Sequence, residues 1–196
     1  MLGDLSWLIV RLSGGFWAFR EGVLRRPRGR LAKRVLKAIY YAYLHRYGAY
    51  IGHSAHFASE PCFPHNLHGI FIAGNAKIGR NCVLFQQVTI GANALPDSKG
   101  VGTPILGDNV YVGAGAKIIG AVKVGNNCRI GANCIVSCDA PDNSIVVLPR
   151  PELITRQSTQ DNRYFRWSPN GPVYFEGGQW IIERDPNVIS KLRDAF

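Results

Sequence analysis

The residues best equipped for chemistry are two histidines three positions apart, His65 and His68, in the apolar stretch PCFPHNLHGIFI from Pro61 to Ile72. An imidazole exchanges a proton near neutral pH, so either ring suits a general base acting on an acceptor hydroxyl. Of the other histidines, His53 and His56 sit in IGHSAH and read as structural residues with satisfied ring nitrogens, and no histidine follows His68. Five cysteines (Cys62, Cys82, Cys128, Cys134, Cys138) form neither an even framework nor a paired CxxC zinc pattern. They read as reduced thiols, and no metal is expected.

What positions these side chains is a six-residue beat. From Ile72 the chain reads IAGNAK, IGRNCV, LFQQVT, IGANAL, then LGDNVY, VGAGAK, IIGAVK, VGNNCR, IGANCI and VSCDAP. The first position is aliphatic in ten of ten units, and the fifth is small or β-branched throughout, as expected where both share a narrow interior. Gly at the second position and Asn at the fourth, six units each, are the residues that most cheaply adopt left-handed backbone at corners. A short strand and a tight corner therefore recur, three units close one triangular coil, and coils stack at the strand spacing of roughly 4.8 Å. The fold class this predicts is an all-β core, a parallel β-helix. Cys82, Cys128 and Cys134 fall at the inward fifth position and read as small core residues.

The beat breaks at PDSKGVGTPI (96–105), a loop ejected from the solenoid, where residues are freed from packing and function tends to sit. Three segments follow: 1–50 basic and helical, 51–147 the β-helix with loop 96–105, and 148–196 an aromatic-rich extension. In the last, PVYF and QWII around EGG read as a hairpin, and Asp185 before Pro186 as a helix start.

With 196 residues, 46% hydrophobic and 18% charged, one globular catalytic unit is expected. No apolar run of about 18 residues is present to span a bilayer. Arg11 and Arg20 interrupt the first 25 residues, which lack a signal-like apolar core, so a cytoplasmic location is expected. The net charge of +10 is uneven: residues 1–50 hold ten Lys or Arg against Asp4 and Glu21, a local balance of +8. That distribution points to a local negative partner, such as anionic lipid head groups or an acidic glycan, and away from nucleic acid. LAKRVLKAIYYAYLHRY (31–47) is an amphipathic helix with two readings. It packs on the first coil and shields an open sheet edge, or it makes peripheral contact with the inner face of a membrane.

From about Ile51 to Val147 the chain resembles the hexapeptide-repeat acyltransferases with a left-handed β-helix, and within them the serine acetyltransferase-like branch. The carrying residues are VTIGA (88–92), the ejected loop, VGAGAKIIG (112–120) and RIGANCIV (129–136). The resemblance implies the left hand of the coil, a homotrimer, and acetyl-CoA in the groove between neighbouring helices. It assigns cofactor contacts to Gly91, Ala92, Gly113, Ala114 and Ala132, with Arg129 near the coenzyme phosphates and Lys117 as a second cation. It implies His65 as general base, in a PH-x-x-x-GI segment, with His68 as the alternative. Thr103, Asn66 and Gln86 are the expected acceptor contacts.

Two departures bear on the acceptor. The Arg-His-Pro that ends the loop in serine acetyltransferases reads Gly102-Thr103-Pro104 here, and the base's carboxylate partner falls on Tyr50, leaving Glu60 as the nearest acid to orient His65. A Thr-lined loop suits a neutral sugar hydroxyl, so the expected function is acetyl-CoA-dependent O-acetylation of a carbohydrate of capsule, exopolysaccharide or lipopolysaccharide. The alternatives are serine O-acetyltransferase and an inactive scaffold or glycan-binding module.

Overall fold

The computed structural model describes residues 2–24 and 29–193; Arg25, Arg26 and Arg28 of the basic segment lie outside them. It contains two compact units, residues 1–150 and 151–196, each described by itself.

The first unit is a left-handed parallel β-helix preceded by helices. Its coils begin with Tyr50–Ile51 (β1) and His56–Phe57 (β2), then Phe71–Ile72 (β3), Lys77–Ile78 (β4) and Val83–Leu84 (β5). They continue through Thr89–Gly91 (β6), Ile105–Leu106 (β7), Tyr111–Val112 (β8), Lys117–Ile119 (β9), Lys123–Val124 (β10), Arg129–Ile130 (β11), Ile135–Val136 (β12) and Ile145–Val146 (β13). Strands one coil apart stack in register, giving a first face β1-β3-β6-β9-β12, a second face β2-β4-β7-β10 and a third face β5-β8-β11-β13. The aliphatic first positions from Ile72 to Val136 are all 3% exposed or less, so the beat is the core. The fifth positions join them except Ala94, which is exposed because the chain has already left the coil there. The inward cysteines also tie coils together: the Cys128 thiol donates to Pro141 O at 3.1 Å and that of Cys82 to Gly107 O at 3.4 Å.

The corners divide their labour in a way the sequence reading did not anticipate. Within the repeats left-handed backbone falls mostly at the fourth position, at Asn75, Asn81, Gln87, Asn109, Gly115, Asn127 and Asn133, with Gly120 at a third position as the exception. The second-position glycines have ordinary φ and are required for close stacking. A Cβ on Gly79 would lie 2.2 Å from Gly107 O, and one on Gly113 2.7 Å from Ala132 N. At the corner between the second and third faces, Asn81, Asn109, Asn127 and Asn143 form a ladder, each amide donating to the next at 3.1–3.2 Å. Asn109→Ala removes two ladder bonds and places alanine at φ 58. We expect it to cost about 2 kcal/mol in chemical unfolding, and Asn109→Gly to recover the backbone part.

The helices are α1 (Leu2–Leu12), α2 (Phe16–Ala18) running into a π-helical turn at Phe19–Leu24, and α3 (Arg30–His45). They belong to the same unit as the coils. Phe16 stacks on Tyr40 and Tyr43 at 5.6 and 5.7 Å, and Trp17 meets Phe57 edge-on at 5.0 Å. The π turn carries Arg20, fully buried, its guanidinium over Phe57 at 4.6 Å, bonded to Ala55 O and paired with Glu21. A buried cation is tolerable only with such partners, so Arg20 fastens the helices to the first coil. Burial pushes the neighbouring Tyr40 phenol well above its usual range. The helices thus cover the open end of the solenoid.

The second unit is a meander, Phe165–Ser168 (β14), Gly171–Glu176 (β15) and Gln179–Ile182 (β16), followed by α4 (Pro186–Leu192). The hairpin and the Asp185 cap form as read, the carboxylate accepting from Asn187 N at 2.8 Å; β14 is an added strand. Arg163 lies over the Phe165 and Tyr174 rings and pairs with Asp161 at 2.8 Å and Glu183 at 2.7 Å. Hydrogen bonds from Arg163 lower Asp161 to about 2, and backbone N–H groups of Asp185 and Arg184, aided by Arg163, lower Glu183. Depressed carboxylates stabilise the fold above their unfolded pKa near 4 and lose that contribution as pH falls toward the folded value. Near-ultraviolet circular dichroism of the Tyr and Trp residues should therefore fade between about pH 4 and pH 2, and Arg163→Met should move the transition upward.

Candidate active site

Repeat spacing explains why the histidines project. Buried first-position residues run Ile51 and Phe57, with Phe63 next in phase, but the following one is Ile72, so the unit 63–71 has nine residues where others have six. The extra chain forms a turn at 64–69 that Leu67 anchors in the core, while Asn66 (φ 55) and Gly69 (φ 66) supply the left-handed bends. Backbone bonds hold it, Asn66 N to Phe63 O at 3.0 Å and Gly69 N to Tyr47 O at 2.9 Å. His65 and His68 are both exposed on this turn. His65 leans on Phe85 (5.7 Å), which contacts Tyr111 (5.1 Å), whereas His68 packs edge-on against Tyr47 (5.1 Å).

The turn crowns the corner between the third and first faces. Directly below it Gln87 N donates to His68 O at 2.9 Å, Gly115 N to Gln86 O at 3.0 Å, and Asn133 N to Ala114 O at 2.8 Å. This column collects His65, His68, Gln86, Gly113, Ala114 and Ala132. Below Gln86 its side chains are small, and a Cβ on Gly113 would meet Ala132 N. Arg129 projects from the third face beside its register partner Tyr111, and Lys117 lies just round the corner on the first face, its Nζ donating to Gln87 O at 3.1 Å. Gln86 Oε1 is buried with no hydrogen-bond partner among the described residues. Sequence reasoning passed over Phe85 and Tyr111, although Tyr111 holds an outward sixth position like Lys117 and Arg129.

The remaining assigned residues lie elsewhere on the chain. Gly91 and Ala92 end the first-face strand β6 at the opposite corner, where the loop departs. The loop is pinned: Asn93 and Gly102 exchange backbone bonds at 2.9 Å, Ala121 N donates to Gly100 O at 2.8 Å, and Thr103 follows this clasp. Glu60 forms neither a hydrogen bond nor an ion pair with His65. With Asn66, Trp17, Tyr43, Tyr47 and Phe63 it lines a separate cavity of about 470 Å³. The orienting role assigned to Glu60 is therefore not realised within one chain.

His53 is structural, as read. Lys37 Nζ donates to its Nε2 at 2.7 Å, so Nδ1–H faces Tyr41 Oη at 3.0 Å. Partial burial and the Lys37 charge hold its pKa below the ordinary value. Tyr41 in turn stacks on Tyr50 at 5.4 Å. Among the described residues no three or more His, Cys, Asp or Glu side chains gather as a metal site, and no helix is long and apolar enough to cross a membrane.

Residues 103–138 match the family described as bacterial transferase hexapeptide (six repeats). The chain is similar to the serine acetyltransferase of Helicobacter pylori, 40% identical over 88 residues, which is 45% of this chain and 50% of the relative. It is 39% identical over 108 residues to that of Staphylococcus aureus, 54% of this chain and 49% of the relative. Among solved structures, serine acetyltransferase isoform 3 of Entamoeba histolytica in complex with cysteine superimposes with a TM-score of 0.54 at 26% identity, covering 80% of this chain and 51% of that one. The chain thus resembles the hexapeptide-repeat acyltransferases across its coils. The relatives named here are all serine acetyltransferases. The chain spans about half the length of the curated relatives it matches.

These relatives overturn the expectation of a carbohydrate acceptor and of a role in polysaccharide synthesis. That expectation leaned on local departures, Gly102-Thr103-Pro104 in the loop and Tyr50 at the carboxylate position. A site contributed by several corners is not redefined by such single positions, and Gln86 offers an unpartnered acceptor that suits an ammonium group.

Proposed function

We propose that this chain catalyses acetyl-CoA-dependent O-acetylation of L-serine. The observation that supports it most is the likeness to serine acetyltransferases in both sequence and fold. The histidine turn above a column of small residues supplies chemistry that agrees with it. In this reading His65 takes the proton from the serine hydroxyl as its oxygen attacks the thioester carbonyl. Backbone N–H groups hold the tetrahedral oxyanion, which collapses, breaking the C–S bond. The departing thiolate takes the proton back from the imidazolium, so the base is regenerated and the products are O-acetylserine and free coenzyme A.

The coenzyme runs down the third face past Tyr111, with Arg129 and Lys117 opposing its phosphates. Gly91, Ala92 and Thr103 stand at a different corner from the histidines, so in a homotrimer they serve a neighbour's histidine turn. Within the site Gln86 Oε1 accepts from the serine ammonium group. The loss of one bond to a charged group amounts to about 1.5–3 kcal/mol. Gln86→Leu should therefore raise KM for serine about ten- to hundredfold while leaving KM for acetyl-CoA near its starting value. Steady-state kinetics with each substrate varied in turn checks this, and an unchanged KM for serine removes Gln86 from the acceptor site.

A further inference from the structure

We propose that the outward faces of α1 and α3 form a docking surface for an anionic lipid bilayer. An isolated amphipathic helix turns its larger apolar side chains inward; α1 does the reverse. Its buried side presents Ser6 and Val10, while Leu5, Leu8 and Leu12, spaced to share one helix side, are exposed, Leu12 at 79%. Trp7 and Arg11 flank that stripe, the guanidinium lying over the indole at 5.0 Å. The pair joins an amphipathic ring to a cation, as at a membrane interface. Helix α3 repeats the arrangement: it buries Tyr40 and Leu44 and leaves Leu31 and Val35 exposed beside Arg30, Lys33 and Arg34. The two helices pack against each other within the first unit.

Charge selects the occupant. Residues 1–50 carry ten Lys or Arg against Asp4 and Glu21, and Glu21 already pairs with the buried Arg20. A second copy placed on this surface would set the exposed cations Arg11, Arg30, Lys33 and Arg34 against their own kind, whereas a layer of lipid phosphates is complementary, and the leucines enter the boundary between head groups and acyl chains. Docking needs neither the histidine turn nor the coenzyme face, so it stands apart from the proposed acetyl transfer.

The test is co-sedimentation of the full chain with phosphatidylcholine vesicles containing about one-third phosphatidylglycerol, against phosphatidylcholine alone, near 0.1 M and 0.5 M salt. We expect binding to the anionic vesicles at low salt and binding about tenfold weaker or less on neutral vesicles or at high salt. Leu5→Ser/Leu8→Ser/Leu12→Ser should weaken it about tenfold with an unchanged circular dichroism spectrum. Arg30→Gln/Arg34→Gln should remove part of the salt dependence without touching the leucines. Failure of the wild-type chain to sediment with anionic vesicles overturns the proposal, as does equal binding by the leucine variant. A leucine variant that drops in oligomeric state by sedimentation velocity, with no vesicle binding by the wild type, makes the surface a contact between copies instead.

Discussion

His65→Ala is expected to lower kcat for serine acetylation by about 10²- to 10⁴-fold while changing KM for either substrate little, the range in which a positioned general base contributes. The ring stands exposed against Phe85, at the head of the face that carries Tyr111 and Arg129, so its removal deletes a proton acceptor and leaves the coil beneath intact. Because Leu67 and the backbone bonds of the turn hold the loop, the variant should retain its thermal unfolding midpoint. His65→Gln, which keeps a polar side chain but cannot take a proton, should be equally inactive. His68→Ala should lose less than about tenfold, since that ring packs on Tyr47. The opposite order would make His68 the base.

Ile118→Ala should destabilise the first unit by about 2–5 kcal/mol, a large share of the roughly 5–15 kcal/mol typical of a folded domain. Ile118 is fully buried at mid-stack, its register partners being Ile90 above and Val136 below. The walls of the prism are hydrogen-bonded backbone on three sides, so they cannot move in to fill the space, and the cavity term is felt nearly in full. Ile118→Val should cost about 1 kcal/mol. Urea unfolding monitored by far-ultraviolet circular dichroism separates the two, and a loss below about 1 kcal/mol for the alanine variant would mean the solenoid collapses around its core.

The solenoid was legible because its determinant is local and repeated: each aliphatic first position from Ile72 to Val136 reports the same inward site. The role of the second-position glycine was not, because the contact that demands it is with another coil; nothing near Gly79 in sequence announces Gly107 O. The histidines were legible as residue types. Their projection came from the three extra residues in unit 63–71, hidden because FPHNLHGIF itself contains well-spaced apolar residues. The acceptor was misread from local departures at Tyr50 and at Gly102-Thr103-Pro104, the latter at the clasp of a loop whose corner is remote from His65 within the chain. The buried oxygen of Gln86 depends on packing that no spacing rule reports.

The most direct measurement is release of free coenzyme A from acetyl-CoA by the purified full chain, followed with a thiol reagent, with L-serine present and absent. Thiol release that is saturable in serine, accompanied by O-acetylserine in equal amount and abolished in His65→Ala, is the result expected. Release at the same rate with and without serine, or none under either condition, would contradict serine as the acceptor.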